Sequence, residues 1–126
     1  MDVLTIGVDL VENARVGAVL ERHGERFYER VLTPAEQAAA QRLRDPLPHI
    51  AGRFAAKEAV MKVLRTGWRG GVAWTDIEVV NDAAGEPHVT LSGECSNIAR
   101  RLGIGRVLIS ISHTERYATA TALGVR

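Results

Sequence analysis

His49-Ile-Ala-Gly-Arg-Phe-Ala-Ala-Lys-Glu-Ala-Val-Met-Lys-Val-Leu64 is the stretch whose reading decides the fold. Ala, Met, Leu, Lys and Glu favour helix, the only glycine lies in the first turn, and Pro46 and Pro48 close the segment before it. The spacing predicts a long central helix over 49–64. At about 100° per residue with Arg53 at zero, Ile50, Phe54 and Met61 fall between about 60° and 100°, and Val60 and Leu64 within about 20° of zero. That side is the expected core face. Glu58 and Lys62 fall near 140° and 180°, roughly one turn apart on a lane shared only with Ala51 and Ala55. A charged pair on a floor of methyl groups leaves space above it for a ligand.

Upstream, Val3-Leu-Thr-Ile-Gly-Val-Asp-Leu-Val11 reads as a buried strand with Asp9 near its C-terminal end. Val16, Val19, Leu20 and Phe27 then recur at helical spacing, and Gly24 breaks that stretch in two. Thr33-Pro-Ala-Glu36 is a capping box with Pro at the first helical position, opening a short helix to about Arg44. Downstream, Thr66-Gly-Trp-Arg-Gly-Gly71 is a glycine-rich turn. Asp76–Val80 and His88–Leu91 alternate as a hairpin around Asn81–Pro87. Ser92 caps a helix through Leu102, and 106–112 and 117–123 form an antiparallel pair. The order βααα-ββ-α-ββ predicts an α+β domain spanning 1–126, a mixed or antiparallel sheet packed on the long central helix.

Length and composition agree with one compact domain: 126 residues, 46% hydrophobic and 25% charged. A net charge of +1 argues against a nucleic-acid binder that works by global charge. The charge is nevertheless segregated. Residues 1–40 balance to −3, 41–70 to +5, 71–99 to −5 with no Lys or Arg, and 100–126 to +4. Either a local anion site or solvated faces paired across the fold accounts for such blocks. Cys95 is the single cysteine, the N-terminus lacks a secretory pattern, and no apolar run approaches the ~20 residues of a membrane span. A cytoplasmic protein with no membrane contact is expected.

Each candidate residue has a plainer reading beside its functional one. Glu58 and Lys62 form either an i,i+4 surface pair or part of a site. Asp9 either caps the next helix or, if it meets Glu58 in space, helps hold a hard divalent cation such as magnesium. The Gly67–Gly71 turn is a C-cap, or a phosphate cradle helped by Lys62, Arg65 and Arg69. Ser110-Ile-Ser-His113 lacks a nucleophile elbow and a third member, so Ser-His hydrolysis is set aside. Cys95 reads as a buried small hydrophobe, and Trp68 and Trp74 as loop packing, with a stack of Trp68 on a flat ligand as the alternative.

Several strings together resemble a known family. Ile6-Gly-Val-Asp-Leu-Val-Glu12, Arg26-Phe-Tyr-Glu-Arg-Val-Leu-Thr-Pro-Ala-Glu36 and Ala51-Gly-Arg-Phe-Ala-Ala-Lys-Glu-Ala-Val-Met-Lys62 closely resemble holo-acyl-carrier-protein synthase. Thr66-Gly67, Trp74–Val79, Gly85–Pro87 and Ser110–His113 continue the match in order. The resemblance implies the 4′-phosphopantetheinyl transferase fold and transfer of 4′-phosphopantetheine from coenzyme A to a serine of an acyl carrier protein. It implies a homotrimer with active sites between neighbouring subunits. By position it makes Asp9 and Glu58 magnesium ligands, Glu58 also a base for the carrier serine, and Lys62 a stabiliser of the departing bisphosphate. Arg53, Gly67, Gly71, Pro87 and His113 match the coenzyme A surroundings. Arg15, Arg22 and Arg26 gain a reading as a dock for an acidic carrier helix, against the alternative of self-pairing with Glu21, Glu25 and Glu29. The chain departs from the family at Arg65, where Gly is usual, and at Asn13, where an apolar residue is usual. Arg65 is then read as a phosphate contact or a changed helix end, and Asn13 as a determinant of carrier preference.

Overall fold

The computed structural model describes residues 2–68 and 70–126. Arg69, one of the basic residues assigned to the glycine-rich turn, lies outside them. Strand β1 (Val3–Glu12) leads into helices α1 (Asn13–His23), α2 (Glu25–Val31), α3 (Pro34–Gln41) and α4 (Leu47–Leu64). A 3₁₀ turn at Trp74–Asp76 precedes β2 (Ile77–Asn81), β3 (Pro87–Leu91), α5 (Gly93–Arg101), β4 (Arg106–His113) and β5 (Tyr117–Val125). The α+β expectation holds. The strands form two antiparallel sheets, a three-stranded one ordered β1-β5-β4 and the β2-β3 hairpin.

Helix α4 is the axis of the fold, and its surroundings correct the two-faced reading of its sequence. From Ile50 to Leu64 only Lys62 is exposed, with Phe54 and Glu58 half-buried. Ala51 and Ala55 are fully buried, so no open space lies above them. The three-stranded sheet, α1 and β2 all pack on the helix, and alanine lanes let them come close. The inner face of β5 is correspondingly small: Ala118, Ala120, Ala122 and Gly124, all buried. Gly7 of β1 makes the closest approach. A Cβ there would collide with the Ala59 carbonyl oxygen and stand 2.9 Å from the Lys62 Cβ. This contact draws β1, and Asp9 with it, against the C-terminal half of α4.

One basic residue of the 41–70 block serves this packing. Lys57, fully buried, gives its ammonium to Glu36 Oε1 at 2.7 Å, the Val31 carbonyl at 2.6 Å and the Trp74 carbonyl at 3.1 Å. Glu36 completes the expected capping box of α3 and also accepts from the Val79 amide at 2.7 Å. Every partner is hydrogen-bonded, which is the condition for burying such a pair without a large penalty. Ser92 stands at the N-cap of α5 but makes no side-chain cap. The Cys95 amide is served by Asp76 Oδ2 instead. Cys95 is fully buried, as a small hydrophobe would be.

One face of the larger sheet stays open. Ile6, Val8 and Leu10 are 67, 55 and 64% exposed, and their register partners on β5 are Leu123, Thr121 and Thr119. Leu108, Ser110 and Ser112 continue the same rows on β4.

Candidate active site

Asp9 and Glu58 come together. Both line a cavity of about 480 Å³ whose walls include Arg15, Val16, Phe27 and Phe54. Strand β1 brings one carboxylate and α4 the other, through the Gly7 contact. The Asp9 backbone is held from β5, where the Thr119 hydroxyl donates to its carbonyl at 2.9 Å.

Asp9 caps no helix: the N-cap of α1 is Glu12, with no side-chain cap bond. Its carboxylate takes the Lys62 ammonium at 3.3 Å, and the same ammonium donates to the Val8 carbonyl at 2.7 Å. The i,i+4 pairing of Lys62 with Glu58 is therefore not what the fold makes of them. Glu58 accepts from the Trp68 indole Nε1–H at 2.9 Å. Burial pushes its carboxyl above the ordinary glutamate range. The Trp68 hydrogen bond opposes this, the nearby Asp9 charge adds to it, and Lys62 opposes it. Trp68 does pack on Trp74, but its bond to Glu58 is a feature the sequence did not signal. Val16, Phe27 and Phe54 are cavity walls as well, whereas the sequence marks Val16 and Phe27 only by helical spacing and Phe54 only as core.

A second group gathers at the N-terminal half of α4. Arg53 is nearly buried and donates through Nε to the Val79 carbonyl at 3.2 Å and through Nη2 to Asn81 Oδ1 at 2.7 Å. Asn81 pairs with Pro87 across the hairpin. His113 lies over Gly52, where a Cβ would meet its Nε2 at 2.5 Å. His49 completes the group. Its Nε2 is buried with no hydrogen-bond partner among the described residues. Its pKa is pushed down to about 4 by burial, then by the Arg53 charge and by His113. Among the described residues no hydrogen bond, ion pair or ring contact joins this group to Asp9, Glu58 and Lys62.

Gly67 and Gly71 have φ of 67° and 85°, conformations that favour glycine, and a Cβ at either would meet nothing within 4 Å. Their requirement is the turn itself. Arg15 and Arg22 on α1 and Arg26 on α2 are exposed, and among the described residues none of them is ion-paired. Self-pairing with Glu21, Glu25 and Glu29 is absent among the described residues. The bend at Gly24 puts Arg26 on a different helix from the other two. Asn13 is buried and donates to the carbonyls of Thr114 and Glu115 at 3.4 and 3.2 Å. It pins a turn of its own chain. Arg65 is the helix end-cap, at φ 61° and ψ 20°. Asp82, Glu86 and His88 also cluster, but on the exposed β2-β3 turn, where Asp82 caps the Ala84 and Glu86 amides.

The family model of the 4′-phosphopantetheinyl transferase superfamily matches residues 5–122. The holo-[acyl-carrier-protein] synthase of Chlamydia pneumoniae is 44% identical over 125 residues, covering 99% of both chains. That of Koribacter versatilis is 42% identical over 121 residues, 96% of this chain and 97% of the relative. Among solved structures, the holo-[acyl-carrier-protein] synthase of Neisseria meningitidis superposes with a TM-score of 0.90 at 33% identity, covering 99% of this chain and all of the other. The Helicobacter pylori synthase in complex with coenzyme A gives 0.83 at 32% identity, covering 95% and 99%.

Proposed function

Because the chain belongs to the 4′-phosphopantetheinyl transferase superfamily, we propose that it transfers 4′-phosphopantetheine from coenzyme A to a serine of an apo acyl carrier protein. The observation that carries this reading is the meeting of Asp9 and Glu58 at one cavity, with Lys62 against Asp9.

Two carboxylates offer the hard oxygen donors magnesium prefers, and Asp9 already attracts a cation in the form of the Lys62 ammonium. Asp9 and Glu58 are the residues to hold it. When bound, magnesium neutralises diphosphate charge and polarises the phosphorus under attack. Glu58 takes the proton of the carrier serine hydroxyl as its oxygen forms the new bond to phosphorus, directly or through a water. The bond to adenosine 3′,5′-bisphosphate breaks, and Lys62 stabilises the charge that leaves. Coenzyme A is held by the second group. Arg53, Pro87 and His113 border its surroundings, and the buried unpartnered His49 Nε2 is the kind of atom that a ligand satisfies. Gly67 and Gly71 shape the turn beside it.

Two groups that no bond joins within one chain, among the described residues, suit an active site completed by a neighbouring subunit. The open sheet face, with Ile6, Val8 and Leu10 exposed, supports a homotrimer whose subunits cover it. Unpaired Arg15, Arg22 and Arg26 suit an acidic carrier helix, and Arg15 reaches the cavity itself. A cytoplasmic setting fits the substrates, and among the described residues no helix is long and apolar enough to cross a membrane.

The test is intact mass spectrometry of an apo acyl carrier protein incubated with this protein, coenzyme A and magnesium. We expect a gain of one phosphopantetheine, abolished by chelator and by a serine-to-alanine carrier. No gain with several carriers would overturn the reading.

A further inference from the structure

Trp68 stands in the turn after α4, ten positions beyond Glu58, and its indole makes two contacts at once. Its ring stacks on Trp74 with centroids 3.6 Å apart and planes 20° from parallel. Trp74 stacks on Phe54 at 5.1 Å, and Phe54 on Phe27 at 6.3 Å, so four rings run in sequence, the last two of them walls of the cavity. The Trp74 backbone is anchored as well, since its carbonyl accepts from the buried Lys57 ammonium. A ring laid face to face on an anchored neighbour has the direction of its in-plane N–H fixed. That N–H points at Glu58 Oε1, 2.9 Å away.

The chemistry of an indole suits this position. It donates and never accepts, so it favours the carboxylate as an ion and cannot take the proton that Glu58 is to receive. A glutamate on a helix otherwise samples several rotamers, and holding one of them has an entropic cost that a fixed donor reduces. Partners of this kind commonly set the affinity of a ligating carboxylate for its metal. The alternative, that Trp68 stacks on a flat ligand, has one ring face fewer to work with, because Trp74 covers it.

We propose that Trp68 is a positioning residue that fixes the Glu58 carboxylate through its indole N–H, and so sets both metal affinity and turnover. This inference rests on the role proposed for Glu58. Trp68→Phe tests it by keeping the ring and removing the N–H. Magnesium chloride is titrated calorimetrically into substrate-free protein, and kcat and KM for coenzyme A are measured beside it. We expect magnesium affinity and kcat each to fall about tenfold, with KM for coenzyme A within about twofold of the unaltered protein. Trp68→His, which retains a ring N–H, should recover part of the loss and guards against a simple packing defect. Unchanged magnesium affinity in W68F overturns the inference. So does a rise confined to KM for coenzyme A, which would place the indole against that substrate. If the unaltered protein neither binds magnesium nor transfers, the role of Glu58 itself fails and the inference falls with it.

Discussion

At the scale of single residues, Glu58 carries opposed demands. Half-burial raises its carboxyl pKa, so in the metal-free protein the ionised form is held at a cost. The linkage sign follows. A raised carboxyl stabilises the fold below its unfolded pKa, and that contribution is lost as pH rises through the folded value. Glu58→Gln in chelator should therefore melt above the unaltered protein at pH 7, with the gap closing as the pH falls through the raised value and gone below the ordinary glutamate value of 4.5. Its turnover should fall by roughly 10²-fold or more, as loss of a general base commonly costs. Full turnover in this variant would remove the base role. Arg65 makes a separate point. A non-glycine residue in the left-handed region is strained, so Arg65→Gly should raise stability by about 0.5–1 kcal/mol in urea unfolding. The family's usual glycine there has this conformational reason, and the sequence departure at Arg65 is one of backbone before it is one of charge.

At the scale of elements, α4 is held to α3, to the end of α2 and to the 3₁₀ turn by one ammonium. Lys57→Met would leave Glu36 charged and unpaired in the core, a change that commonly costs about 3–5 kcal/mol. Urea unfolding should find a loss of that size, and the double variant with Glu36→Gln should regain part of it. A loss below about 1 kcal/mol would mean that Glu36 takes a proton instead. The capping box of α3 was readable in Thr33-Pro-Ala-Glu36 because its chemistry is local. The further duties of Glu36 were not, since Lys57 and the Val79 amide reach it only through packing. For the same reason a wheel drawn on α4 finds one core face, whereas the fold surrounds the helix on nearly all sides.

At the scale of the whole molecule, the open face of the β1-β5-β4 sheet is the feature a lone subunit explains least. Val8 is 55% exposed at its centre, beside Ile6 and Leu10. In the proposed trimer Val8→Lys buries an unpaired charge at each interface, so sedimentation should turn a trimer into monomers, with activity falling in step. An unaltered protein that is monomeric and fully active would overturn the trimer. The same face bears on the site, because among the described residues no hydrogen bond or ion pair joins Arg53 and His113 to Asp9 and Glu58 within the subunit.

The sequence by itself determined the α+β class, the family and the element order, except that the order βααα counts as one the helices α1 and α2 that Gly24 separates, because helix periodicity, strand alternation, turn chemistry and the Arg-Phe-Ala-Ala-Lys-Glu string are written in adjacent residues. Only the tertiary structure decided which charges meet. Lys62 turned from Glu58, four residues away, to Asp9, fifty-three residues away, and Trp68 took its place on Glu58. The physical reason is close packing: Gly7 lets β1 press against α4, and the approach of two backbones sets partners that spacing along one helix cannot.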